Sequence, residues 1–160
     1  MFKRFPRLVA AVATTTAILA GAGCALADPP AFDPAKPVFT PADQVPWHDV
    51  NPAIRFGDAF GDRATGPQGT FGTFPPNFIT PVHVHTNAYH GIVLFGTMTN
   101  PMGLKGDPNA AKMGPGSYWY VPAGMPHATA CISNTPCMFY MHANKAFDFT
   151  VVEKEKKDTK

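Results

Sequence analysis

Proline and glycine recur so often along this chain that no stretch of its body sustains the periodicity of an α-helix. Eighteen prolines and fourteen glycines are spread over 160 residues, and proline is tolerated neither inside a helix nor in a central strand. Between these breakers lie short runs of β-branched and aromatic residues: "AIRFGDAF", "GTFGTF", "ITPVHVHT", "GIVLFGTMT", "SYWYVP", "HATACIS", "CMFYMHA" and "FDFTVV". Several short strands at regular spacing predict an all-β sandwich or barrel. No internal repeat is visible.

The two ends read differently from the body. Lys3, Arg4 and Arg7 form a basic start, Leu8 to Ala20 is uncharged and mostly apolar, and Ala25-Leu26-Ala27 has the small-x-small pattern of a cleavage site. Residues 1–27 are therefore expected to be a signal peptide, and the protein to be exported, periplasmic or secreted. Residues 28–46 are proline-rich and predict an extended arm anchored by Trp47; residues 47–152 are assigned to a single domain, and the charged residues 153–160 to a solvated tail. Loss of the leader takes Lys plus Arg from 13 to 10 against 11 acidic residues, so the net charge passes from +2 to −1. No basic stripe remains, which argues against nucleic acid or an anionic membrane surface as partner.

Of the three cysteines only Cys131 and Cys137 lie beyond the leader. An even pair in an exported chain suggests a disulfide, set across a hairpin turned at Asn134-Thr135-Pro136; two small buried thiols are the alternative. A two-residue turn pairs Ile132 with Cys137 and sends Met138, Tyr140 and His142 inward. A longer loop pairing Cys131 with Cys137 favours the disulfide and turns His142 outward.

"HVHTNAYH", residues 83–90, holds three of the six histidines. Side chains alternate along a strand, so His83 and His85 share a face as a pincer. "GPGSYWYVPAGMPHATAC" supplies His127 after a strand and a Pro-Ala-Gly turn. These segments resemble the two motifs of the cupin superfamily, G-x5-H-x-H-x3,4-E-x6-G and G-x5-P-x-G-x2-H-x3-N. Gly116, Pro122, Gly124 and His127 match the second motif, with Cys131 in place of Asn; His83 and His85 match the first, whose opening glycine is replaced by Asn77. Either His90 or, one residue earlier, Tyr89 stands where that family has glutamate. His90 is preferred because neutral imidazole is the better ligand.

The resemblance implies a single-domain jelly-roll β-barrel, a homodimer, and one divalent transition metal (Fe, Mn, Zn, Ni or Cu) on His83, His85, His127 and His90. The only glutamates are Glu153 and Glu155 in the tail, so the site is expected to be all imidazole and to release its ion as pH falls through roughly 6.5. Neutral ligands leave the ion its full charge and favour an anionic, chelating small molecule. The leading expectation is a metal-dependent enzyme of dioxygenase-like, lyase or isomerase type, with His142 and Tyr120 as candidate catalytic side chains. The alternatives are a binding protein that holds a small anion without turnover, and a metal-free site in which the imidazoles bond one another and water.

Overall fold

The computed structural model describes residues 32–152. The signal peptide assigned to residues 1–27, the start of the arm (28–31) and the tail (153–160) lie outside the described residues. The strands are β1 (Trp47–Asn51), β2 (Ile54–Gly61), β3 (Gln68–Phe74), β4 (His83–Val84), β5 (Tyr89–Phe95), β6 (Met98–Thr99), β7 (Tyr118–Val121), β8 (Ala130–Cys131), β9 (Cys137–Ala143) and β10 (Thr150–Val151). One layer is a six-stranded antiparallel sheet in the order β1-β2-β3-β9-β5-β7. The other is assembled from β10-β4 and β6-β8, stitched by single bridges between His83 and His127, Ile79 and Ala130, and Met102 and His127. Two layers around one core make this an all-β jelly roll.

Of the strands, β1 is the one the sequence pattern did not disclose. Its residues, WHDVN, are mostly poor strand formers, and its place at the sheet edge depends on pairing with β2. The described part of the arm lies on the outer face, where Phe32 packs on Phe60 at 4.7 Å between ring centres and Trp47 lies 6.4 Å from Phe71.

The core follows from strand parity. On β9, Cys137, Phe139, Met141 and Ala143 are buried while Met138, Tyr140 and His142 face outward. A row of opposed residues, Thr70, Met141, Gly91 and Trp119, crosses β3, β9, β5 and β7. Gly91 admits the Trp119 ring: a Cβ built there would stand 2.0 Å from the indole. Burial of large apolar side chains at about 1.5–3 kcal/mol each makes this inner face, with Phe74, Val93 and Phe139, the main source of stability.

Cys131 and Cys137 form a disulfide with Cα atoms 5.7 Å apart. The expected hairpin is corrected: β8 pairs with β6 and β9 lies in the large sheet, so the bridge joins the two layers. Both sulfurs point into the core, and that parity turns His142 outward. Its Nδ1 lies 2.8 Å from the Gln68 carbonyl and its ring packs on Phe60. Closing a loop with a sequence separation of 6 should stabilise the fold by about 2 kcal/mol. Thermal melts with and without reductant measure this, and coincident melts would refute it.

Candidate metal centre

His83 and His127 are a hydrogen-bonded antiparallel pair: His83 N donates to His127 O at 2.9 Å and His127 N to His83 O at 3.0 Å. Directly opposed residues present their side chains on one face, and His85, two residues beyond His83, joins them there. The Pro122-Ala-Gly124 turn brings His127 into register. Gly124 has φ +69, a region glycine enters without steric cost, and its N–H donates to the His85 carbonyl at 2.8 Å. The second motif is thereby hooked onto the first.

All three imidazoles are buried, and one ring nitrogen from each lies within 4.8 Å of the others. His83 Nδ1 donates to the Pro81 carbonyl at 2.9 Å, His127 Nδ1 to the Met125 carbonyl at 2.9 Å, and His85 Nδ1 to the Asp148 carbonyl. A carbonyl oxygen only accepts, so Nδ1 carries the proton in each ring and Nε2 keeps its lone pair. A ring nitrogen tied to a backbone carbonyl in this way fixes the orientation of a histidine ligand. His85 Nε2 is buried without any partner, and no hydrogen bond links two imidazoles of the trio among the described residues. An uncompensated buried polar atom is costly. A divalent ion bound by three neutral imidazoles fits these donors.

His90 is not brought to this centre, which corrects the expected fourth ligand. Strand parity on β5 outweighs ligand preference: Tyr89, Gly91 and Val93 face inward, and His90 faces outward between Tyr118 and Tyr120. Tyr120 is likewise on the outside of β7, 49 % exposed, with Trp119 and Val121 inward. His142, Tyr120 and His90 thus share the wrong side of the sheet for a role at the trio. Tyr89 is 3 % exposed, with its hydroxyl 3.2 Å from His127 Nε2.

The segment after β9 closes over the trio. Phe149 stacks on His83 at 4.1 Å and Phe147 on His85 at 4.3 Å, while Asp148, on the opposite side, accepts from the Thr86 amide at 2.7 Å and from its hydroxyl. The F-D-F alternation was visible in the sequence; its partners, more than sixty positions away, were not. His83 and His85 line a cavity of about 250 Å³ whose walls include Phe56, Phe74, Trp119, Phe139 and Met141, with Arg63 and Asp148 as its charged residues. Arg63 lies over Phe56 and pairs with Asp58 at 3.5 Å.

Burial sets the proton affinities. Desolvation lowers His83 to about 4 against the bond to Pro81, with repulsion from His127 and His85 adding to it. His85 falls to about 4, again by desolvation, opposed by the Asp148 carbonyl. His127 is lowered by burial as well. Proton competition at His83 and His85 therefore sets in near pH 4 rather than near 6.5, and that at His127 is also displaced downward. An unfolded histidine titrates near 6.5, so between these values the unfolded chain binds more protons than the folded one. Stability then rises with pH across the window. The melting temperature of metal-free protein is expected to fall as pH is lowered from 6.5 to 4; a flat profile would contradict the buried, neutral trio.

Comparison with known proteins agrees with this architecture. The polyketide cyclase RemF from Streptomyces resistomycificus superposes with a TM-score of 0.63 at 21% identity, over 76% of this chain and 89% of that one. An RmlC-like cupin from Shewanella frigidimarina NCIMB 400 gives 0.54 at 14% identity, over 75% and 96%. A structure of the DMSP lyases RdDddP and RnDddQII gives 0.54 at 16% identity, over 69% and 63%. Among curated proteins none matches the chain at a significant level. Residues 39–156 match the family described as Domain of unknown function (DUF4437). The chain has the cupin fold and belongs to that DUF4437 family.

Proposed function

We propose that this protein is an exported, mononuclear metal enzyme that acts on a small, planar substrate bearing an oxygen anion, with its ion held by His83, His85 and His127. The observation that carries the reading is the convergence of three buried imidazoles, each with Nδ1 tied to a backbone carbonyl and His85 Nε2 left without a partner, beside an aromatic cavity that His83 and His85 line. A divalent ion held there by His83, His85 and His127 would supply Lewis acidity. The chain's own residues do the rest. Phe147 and Phe149 shield His83 and His85, and the aromatic walls take a flat apolar body. The reaction class this supports is dioxygenase-like, lyase or isomerase chemistry on a small molecule that carries an oxygen anion. RemF and the DMSP lyases, which share the fold, bear names of small-molecule enzymes. Export is supported by the leader pattern and by the interlayer disulfide, since such bonds persist in oxidising compartments.

The test is oxygen uptake and product analysis with enolisable diketones, before and after chelation and after return of Fe(II), Mn(II), Zn(II), Ni(II) or Cu(II). Turnover lost on chelation and restored by one metal supports the enzyme. Ligand-dependent stabilisation with no product would mean a binding protein, and melting indifferent to chelator would mean that the trio holds no ion.

A further inference from the structure

Tyr89 enters the site from β5 of the large sheet, opposite the layer that carries the histidines. His127 Nδ1 already donates to the Met125 carbonyl, so Nε2 is an acceptor and the Tyr89 O–H donates to it across 3.2 Å. In this state the lone pair that His127 offers to a metal is spent on a phenol. The phenol has no water to turn to instead, because it is almost fully buried. The hydroxyl's other neighbours are Thr129 and Trp119; the Trp119 Nε1–H is itself buried without an acceptor. Tyr89, Thr129 and Trp119 also line the cavity with His83 and His85. Once Nε2 is engaged elsewhere, the Tyr89 O–H is a donor left at the wall of this cavity, and an oxygen anion there would satisfy it.

We infer that Tyr89 is a two-position hydrogen-bond donor: it holds His127 Nε2 in the metal-free protein and an oxygen-anion ligand, such as a carboxylate or enolate, in the loaded one. This rests on the metal reading above and assigns Tyr89 the selection of an oxygen anion over a neutral or apolar ligand. It also gives Tyr89 effects of opposite sign on the two binding events, which a packing role does not.

The experiment compares the parent with Tyr89→Phe, using Co(II) as the metal probe and acetate as the anion. In the variant nothing competes for Nε2, so Co(II) should bind roughly two- to tenfold more tightly. Acetate should bind the Co(II)-loaded variant at least about tenfold more weakly, having lost a donor to a charged acceptor. Weaker or unchanged Co(II) binding, or unchanged acetate binding, would overturn the inference while leaving the metal centre standing. A parent that binds no Co(II) would remove both. Should Tyr89→Phe fail to fold, the parent still decides the matter. Zn(II), which has no visible absorption of its own, should produce a near-ultraviolet tyrosine difference band as the hydroxyl changes partner, and a flat difference spectrum would count against it.

Discussion

His127→Ala is expected to leave the protein without metal, with affinity falling by more than the roughly 10–100-fold that loss of a hydrogen-bond partner behind a ligand costs. Three donors are all that the described residues bring together at the centre. The third, His127, is held from two directions, through its backbone pairing with His83 and through its own Nδ1 bond to Met125. Removing its imidazole leaves the His83-His85 pincer of a single strand, which cannot enclose an ion. His90→Ala and His142→Ala, on the outer face, should keep the parent's metal content. Elemental analysis of protein purified without a metal-affinity tag checks all three variants, and a melt confirms that each is folded. Stoichiometric metal in His127→Ala, or its loss from His90→Ala, would show that the ion sits elsewhere.

Gly91→Ala is expected to lower the melting temperature by at least about 5 °C. The added Cβ would stand 2.0 Å from Trp119 Cζ2 and 2.2 Å from Cε2. A buried indole cannot swing away as the tip of an exposed side chain can; Trp119 is 6 % exposed and packs edge-on against Phe139. Overpacking of this kind costs about 1–3 kcal/mol. Because Trp119 also walls the cavity, ligand binding should weaken with stability. Adding Trp119→Phe, which removes the clashing ring, should recover part of the loss and give the pair a measurable coupling. A single variant that melts with the parent would show that the indole does not rest on Gly91.

The sequence by itself determined what depends on neighbours a few residues apart. Alternation of period two, cut by glycine and proline, placed most strands. H-x-H put His83 and His85 on one face, and resemblance to the second cupin motif added His127. What only the tertiary structure decided was register, because a one-residue slip carries every side chain to the opposite face. The resemblance to the first cupin motif allowed either Tyr89 or His90 in the glutamate position; pairing of β5 with β7 and β9 sent Tyr89 inward and His90 out. Local spacing also left the disulfide and an inward His142 in competition, and the placement of β8 and β9 in different layers chose the disulfide. Phe147 and Phe149 meet imidazoles more than sixty positions away. Such contacts depend on how distant segments close together, and no local period in the chain encodes that.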